Sequence, residues 1–245
     1  MTIHRFFIND ALISDQETSF GGEVAFQITK VLRLQPGDEV IILDDDQNEY
    51  LIKLKQLNTQ AVSGTIESQT KNQNEPNIEI YLYPALLPRE KFELVLQKGT
   101  ELGVSHFIPI TTERTLPKLD SKEAKIERWQ KILKESAEQS ERGKIPTISH
   151  PMKLTQALSE AITRGTTLIA WEDEKEKTLN DMRLTINDKR LSIFIGPEGG
   201  FSEKEIDEAR SRGAQTISLG PRVLRSETAG PVMAALVLFL PIPSS

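Results

Sequence analysis

The amino-acid sequence predicts an α/β protein of two parts, a small N-terminal β-barrel and a larger domain with a mostly parallel sheet. Short runs of β-branched and aromatic residues follow one another within residues 1–70. From residue 78 onward, strand-like apolar runs alternate with amphipathic helical segments. The stretch 68–77 between them holds no apolar residue, which predicts a linker. We therefore expect one domain over residues 1–72 and another over 73–245.

The N-terminal part reads as a series of short strands with one helical interruption. Turn chemistry at Pro36-Gly37-Asp38 separates two of the runs, and a helix fits around Val24 to Leu34. Several short strands at this spacing predict a small barrel. The expected strands are Arg5–Ile8, Glu39–Leu43, Tyr50–Leu54 and Val62–Ile66.

The C-terminal part alternates strands and helices. Pro88 is expected to open a helix that ends at Gly103, and Ser202 with Glu205 forms a capping box for another. Further helices are expected over Leu154–Arg164 and from Ser226 to Leu240. The expected strands are Ile78–Tyr83, His106–Ile110, Thr167–Trp171, Leu191–Ile195 and Thr216–Leu219.

Composition excludes several classes of protein. The chain has 245 residues, 38% of them hydrophobic and none of them cysteine, so disulfides, thiolate metal sites and a cysteine nucleophile are excluded. Its three histidines are scattered and no His-Glu-x-x-His occurs, so we expect no metal. The longest apolar run, Val232 to Leu240, is shorter than the roughly 20 residues that span a bilayer. We expect a cytoplasmic protein without a membrane segment.

Charge is distributed unevenly. The net charge is −6, which by itself argues against a nucleic-acid partner. Residues 1–75 hold 6 basic and 12 acidic side chains, whereas residues 114–153 hold 10 basic and 6 acidic ones. An RNA partner would therefore have to bind local basic patches.

Two glycine-bearing loops follow successive predicted strands. Gly196-Pro197-Glu198-Gly199-Gly200 follows one, and Leu219-Gly220-Pro221-Arg222-Val223-Leu224-Arg225 follows the next. Ligands of open α/β sheets bind outside the carboxyl ends of the strands, and glycine lets the backbone approach a ligand closely. Neither loop matches a P-loop or Gly-x-Gly-x-x-Gly. The pattern favours a rigid cradle for a small ligand over two ordinary Gly-Pro turns.

The residues Ile195–Ser202 together with Leu219–Ala229 closely resemble the RsmE family. Its members are small-subunit (16S) ribosomal RNA methyltransferases of the SPOUT class, and they methylate uridine at N3. The resemblance departs at Gln27, where the family often has His, and at Glu141, where Gly is commoner. Further matching segments are Gln97–Val104, Thr112–Arg114, Glu138–Arg142, Arg5–Phe7 and Val31–Leu34.

The resemblance implies a PUA-like barrel followed by a trefoil-knot domain that binds S-adenosylmethionine (SAM). It also implies 16S ribosomal RNA in the small ribosomal subunit as substrate, and a homodimer that buries part of the apolar final helix. The residues expected to hold SAM are Ala170, Trp171, Glu172, Ile195, Gly196, Pro197, Glu198, Gly199, Gly200, Leu219, Gly220, Val223 and Leu224.

Methylation of uracil at N3 requires the enzyme to activate the acceptor atom, because N3 carries a proton and is a poor nucleophile until that proton leaves. Arg225 is our candidate for stabilising the negative charge that spreads onto O2 and O4, with an ion pair as the structural alternative. Glu198 and Glu227 are candidates for the general base, although either could fix its loop or helix instead. The expected RNA contacts are Arg5, Arg33, Lys98, Arg114, Arg142 and Arg222.

Three other functions compete with this hypothesis. A SPOUT enzyme could act on the ribose 2′-oxygen, which needs no ionised base. A non-catalytic RNA-binding protein could keep the same knot. A nucleotide-binding oxidoreductase is disfavoured by the missing phosphate-binding fingerprint.

Overall fold

The computed structural model describes residues 3–8, 12–14, 16–116, 123–179, 181 and 189–239, which form two compact units. The first comprises Met1–Glu75 and Ala137–Lys144, and the second comprises Pro76–Ser136 and Ile145–Ser245. The sequence places the division three residues earlier and does not assign 137–144 to the first unit.

The first unit is a six-stranded sheet in the order β1-β4-β5-β6-β3-β2. A short helix, α1 (Gly22–Phe26), continues as a π-helix over Gln27–Val31, where the sequence predicts a helical stretch. The buried core of the first unit includes Phe6, Ile28 and Ile52. The strands are β1 (His4–Phe7), β2 (Leu12–Ser14), β3 (Glu17–Gly21), β4 (Glu39–Leu43), β5 (Asn48–Leu57) and β6 (Ala61–Lys71).

The predicted linker is wrong over residues 68–71, which form the end of β6. They pair with residues 48–51 of β5, and residues 67–71 are all exposed. Their polarity therefore reflects a hairpin end in contact with water rather than the absence of secondary structure. Asn72, just beyond, is buried and donates a hydrogen bond of 3.1 Å to the carbonyl of Glu141.

The second unit is an α/β domain with a parallel six-stranded sheet in the order β10-β8-β7-β13-β12-β14, which confirms the predicted fold class. A separate parallel pair joins β9 to β11. The strands are β7 (Glu79–Pro84), β8 (His106–Phe107), β9 (Ile110–Thr111), β10 (Thr147–Ile148), β11 (Met152–Lys153), β12 (Thr166–Ala170), β13 (Arg190–Ile195) and β14 (Gln215–Ile217). The helices are α2 (Arg89–Leu102), α3 (Glu123–Gln139, whose last three residues belong to the first unit), α4 (Leu154–Arg164), α5 (Glu203–Ser211) and α6 (Ser226–Phe239).

The ends of three neighbouring strands determine where the site lies. Ala170 pairs with both Ile195 and Ile217, so the last residues of β12, β13 and β14 lie side by side. Helix α6 packs on β7, β13 and α2, so the chain returns from the edge strand β14 past the ends of β12 and β13. This is the path expected for a trefoil knot.

Local signals in the sequence account for most boundaries. Gly103 caps α2 at φ 103°, and Ser202 and Glu205 form the predicted capping box of α5. The predicted strand His106–Ile110 is broken into β8 and β9, with Pro109, which has no N–H to donate, between them. Strands β2, β3, β10 and β11 were not predicted, and Leu240 lies outside the described residues. None of the described helices combines the length and apolar character needed to cross a membrane.

Candidate active site

A cavity of about 340 Å³ lies at the carboxyl ends of β12, β13 and β14. Three segments form its walls: the residues after β12, the loop after β13 and the loop between β14 and α6. Helix α2 adds Lys91 from its first turn. All the residues expected to hold SAM line this cavity except Gly199, and so do Arg222, Arg225 and Glu227.

The loop after β13, residues 196–200, is a tight turn. The Gly200 N–H donates a hydrogen bond of 2.9 Å to the Pro197 carbonyl, and Gly200 has φ 68°. A Cβ atom on Gly200 would lie 3.0 Å from Oε1 of Glu172 across the cavity wall. Glycine is therefore favoured here chiefly by the backbone conformation, and a larger residue would also displace the end of the Glu172 side chain slightly.

Arg114 and its neighbour support this loop from outside the cavity. Arg114 Nη1 donates to the Gly199 carbonyl at 2.8 Å, and a Cβ on Gly199 would face the Arg114 side chain at 3.5 Å. The Glu113 N–H donates to Oε1 of Glu205, a member of the α5 capping box, at 2.8 Å. Gly199 therefore anchors the loop through its carbonyl and does not line the cavity, and its role in holding SAM stays a prediction.

A buried carboxylate fixes the segment after β12. Glu174 accepts hydrogen bonds from Thr216 Oγ1 at 2.6 Å and from two backbone N–H groups, and it pairs with Arg210 at 3.2 Å. The Thr216 hydrogen bond lowers the pKa of Glu174 most, burial opposes it, and the backbone N–H groups and Arg210 help lower it to about 2. The Arg210 guanidinium lies 4.9 Å from the Trp171 ring, which faces the cavity.

The loop between β14 and α6, residues 219–225, is more exposed. The Val223 side chain is 78% exposed, and Arg222 and Arg225 are also exposed. Within the part of the chain that the structure describes, no hydrogen bond or ion pair engages either guanidinium. Both cations are therefore available to a ligand.

Lys91 brings the two candidate bases together. Its ammonium forms a hydrogen-bonded ion pair with Glu198 and lies 3.9 Å from Oε1 of Glu227. The sequence-based prediction omits Lys91. A signal was available, because a helix that follows a parallel strand begins at the same sheet edge as the ligand-binding loops.

Comparison with known proteins identifies this arrangement. Residues 73–238 match the RNA methyltransferase domain family, and residues 22–67 match the RNA methyltransferase PUA domain. The chain is 34% identical over 218 residues to ribosomal RNA small subunit methyltransferase E of Bacillus subtilis, covering 86% of this chain and 85% of the relative. This chain belongs to the RsmE family of RNA methyltransferases.

Two further RsmE relatives match almost end to end. The Mesomycoplasma hyopneumoniae protein of the same name is 34% identical, covering 93% of this chain and 95% of its own. The structure of ribosomal RNA small subunit methyltransferase E from Neisseria gonorrhoeae, bound to S-adenosyl methionine, is 26% identical. It superposes with a TM-score of 0.87, covering 96% of this chain and 97% of that one.

Two of the RNA contacts expected from the RsmE resemblance are engaged inside the first unit. Arg142 is 4% exposed and donates to Glu75 at 2.7 Å, and the buried Arg5 side chain pairs with Glu49. A buried charge that loses its partner is costly, so neither guanidinium is free to bind phosphate. Both side chains contribute to the packing of this unit, and their contact with RNA stays a prediction with less support than that of an exposed, unpaired cation.

The other four expected RNA contacts differ in availability. Arg114 holds the Gly199 carbonyl, and Lys98 pairs with Glu101 of its own helix at 2.8 Å. Arg33 and Arg222 are exposed, and neither has a side-chain partner among the described residues. We therefore keep Arg33 and Arg222 as the main candidates and Lys98 and Arg114 as weaker ones.

The two departures from the RsmE pattern have distinct settings. Glu141 has φ 58°, a conformation that glycine adopts without strain and that fits the glycine expected there from the resemblance. Gln27 begins the π-helix.

Over the described residues, no cluster of three or more metal-binding side chains occurs.

Proposed function

We propose that this protein transfers a methyl group from SAM to N3 of a specific uridine in small-subunit (16S) ribosomal RNA. The observation that carries the proposal is that one cavity is lined by two glycine loops, by the carboxylates Glu198 and Glu227, and by Arg225, which has no partner among the described residues. The names of the RsmE relatives support the RNA substrate, and the structure of the Neisseria relative supports the cofactor.

The cavity fits SAM in size and chemistry. Its volume of about 340 Å³ lies in the range of small-molecule sites. Ile195, Leu219 and Leu224 supply apolar walls for an adenosine, and the glycine loop offers backbone at close range. When bound, SAM supplies an electrophilic methyl group, whose carbon–sulfur bond breaks with the electron pair remaining on sulfur.

Arg225 is proposed to serve the acceptor base. Loss of the N3 proton leaves negative charge on O2 and O4 of uracil, and a cation placed beside those oxygens stabilises it. Arg225 lines the cavity, is exposed and has no partner among the described residues. Its planar guanidinium could donate to a carbonyl oxygen of the base.

The N3 proton needs an acceptor within hydrogen-bond reach. Glu198 follows β13 and Glu227 lies in the first turn of α6, and both face the cavity. Either carboxylate would hold the proton while the N3 electron pair forms the bond to the methyl carbon. The proton then passes to solvent.

RNA recognition is proposed to use local basic residues. Arg222 lines the cavity and is exposed, and Arg33 is exposed on the first unit. Contacts through single cations of this kind agree with the lack of an overall positive charge. We propose the assembled small ribosomal subunit as the substrate and the cytoplasm as the compartment.

We also propose a homodimer through α6. Val232, Leu236 and Phe239 recur on one face of this helix and are not fully buried, with Phe239 70% exposed. A second copy would cover this apolar face. Light scattering at micromolar concentration should give twice the monomer mass, and a monomer would contradict the dimer.

The function is tested by methyl transfer to small-subunit particles that lack the modification, followed by mass spectrometry of the nucleosides. We expect 3-methyluridine, formed faster on particles than on free 16S RNA. Ribose-methylated nucleosides would favour a 2′-O enzyme. A failure to bind SAM in calorimetry would favour a non-catalytic RNA-binding protein.

A further inference from the structure

The carboxylates beside the cavity differ in what they can reach. The Glu198 side chain is 36% exposed, whereas that of Glu227 is 11% exposed. Oε1 of Glu227 faces Lys91, and its Oε2 is buried with no hydrogen-bond partner among the described residues. Both carboxylates line the cavity, but an incoming base therefore reaches Glu198 more readily than Glu227.

Lys91 connects the two carboxylates and comes from a third element. It lies in the first turn of α2, Glu198 follows β13, and Glu227 begins α6. Its hydrogen bond to Glu198 raises the pKa of Lys91, so the side chain stays an ammonium at neutral pH and cannot act as a base. A protonated lysine between two carboxylates offsets their mutual repulsion and limits the conformations of the exposed one.

We propose that Lys91 is a positioning residue that holds Glu198 in the cavity as the proton acceptor, while the less exposed Glu227 anchors Lys91. This rests on the proposed function. The N3–H bond breaks, its electron pair stays on the ring and forms the N3–C bond, and the proton goes to the Glu198 carboxylate. Glu227 therefore acts through Lys91 and does not touch the substrate.

The test is a double-mutant cycle on single-turnover methyl transfer, with saturating SAM and unmodified small-subunit particles. We expect Glu198→Gln to lower the rate by roughly 10²-fold or more, as expected for loss of a general base, and Lys91→Met by about tenfold. Because Lys91 acts through Glu198, the double variant should match Glu198→Gln alone. Lys91→Arg keeps the positive charge and should retain most of the rate.

Controls separate positioning from other roles. Lys131 pairs with Glu135 on α3, outside the cavity, so Lys131→Met should leave the rate unchanged. Lys91→Met should bind SAM within about threefold of wild type, because its proposed partner is Glu198 and not the cofactor. Glu227→Gln should lower the rate less than Glu198→Gln does.

Several results would overturn the proposal. One is a double variant whose methyl-transfer rate falls by the product of the two single-variant factors. Another is a larger fall in rate for Glu227→Gln than for Glu198→Gln. A third is a Lys91→Met variant whose dissociation constant for SAM rises by more than about tenfold while its methyl-transfer rate at saturating SAM equals that of wild type. That result would make Lys91 a cofactor ligand. In each case wild type would still form 3-methyluridine. A wild-type protein that forms none would overturn both proposals.

Discussion

The two loops that form the cavity differ in how the rest of the protein holds them. The loop after β13, residues 196–200, is supported from outside by Arg114 and tied to Lys91 through Glu198. The loop before α6, residues 219–225, exposes Val223 and two arginines without side-chain partners in the described chain.

This difference suggests that the two loops serve different functions, one in binding the cofactor and the other in binding the substrate. A loop fixed by its neighbours can keep a cavity preformed for a cofactor, which lowers the ordering cost of binding. Side chains without partners are free to engage a substrate that arrives later. We therefore expect changes to the backbone of the first loop, as at Gly200, to act on SAM affinity, and changes at Arg225 or at the Glu198 side chain, the proposed proton acceptor, to act on methyl transfer.

The largest expected effect is that of Arg225→Ala. Removing a charge-stabilising donor should lower the single-turnover rate by roughly 10²–10³-fold. Arg222→Ala provides the contrast from the same loop, since it should raise the KM for RNA while the rate at saturation stays near wild type. Equal losses of saturated rate in both variants would show that the loop binds RNA as a whole, and Arg225 would lose its assigned role.

The base of the second loop, unlike its tip, is held firmly. Glu174 bonds to Thr216 in β14, and the Ser218 N–H donates to the Lys177 carbonyl at 2.8 Å. Glu174→Gln should lower the free energy of unfolding at pH 7 by about 2 kcal/mol, because a charged hydrogen-bonded group is lost. Urea unfolding measures this.

The pH dependence of this effect follows from the lowered pKa of Glu174. Its folded pKa of about 2 lies below the ordinary 4.5, so its stabilisation is complete above 4.5 and is lost as the pH falls towards 2. The gap between wild type and Glu174→Gln should shrink over that interval. Glu127→Gln, an exposed change on α3, serves as control, and a pH-independent gap would contradict the assignment.

Gly200→Ala should weaken SAM binding by about tenfold in calorimetry, because the new Cβ meets Glu172 and φ is positive. Gly213 is the matched control, since it has φ 103°, no atom within 4 Å of an added Cβ, and no part in the cavity. Gly213→Ala should lower the melting temperature and leave SAM affinity unchanged. Equal SAM affinities in the two variants would contradict a preformed first loop.

Arg114→Ala is the smallest expected effect. Loss of one hydrogen bond to the Gly199 carbonyl should weaken SAM binding by about threefold to fivefold. If Arg114 instead contacts RNA, SAM affinity should not change and the KM for RNA should rise. Arg128→Ala, which breaks a pair with Glu93 away from the cavity, should change neither quantity.

Local and periodic signals predict much of the fold. The alternation of strands and helices, the capping box at Ser202 and the glycine at the end of α2 give the α/β class and most boundaries. They fail for β6, whose polar end is paired in a hairpin, because hydrophobic periodicity reports burial and not hydrogen bonding. The loops of the cavity were predicted because glycine and proline mark tight turns.

Side-chain partners across the fold could not be predicted. The sequence gives no sign that Arg142 would meet Glu75, that Arg114 would reach the Gly199 carbonyl, or that Lys91 would lie between two carboxylates. Each of these contacts joins positions far apart in the chain. An arginine in a motif therefore predicts importance, but the choice between an RNA contact and an internal ion pair needs the structure.

The assignment of separate roles to the two loops is tested most directly by titrating SAM into the Arg225→Ala variant in a calorimeter. If the first loop holds the cofactor and Arg225 serves the acceptor base, the dissociation constant should stay within about threefold of wild type. A dissociation constant at least about tenfold weaker would place Arg225 in the cofactor site and contradict the account.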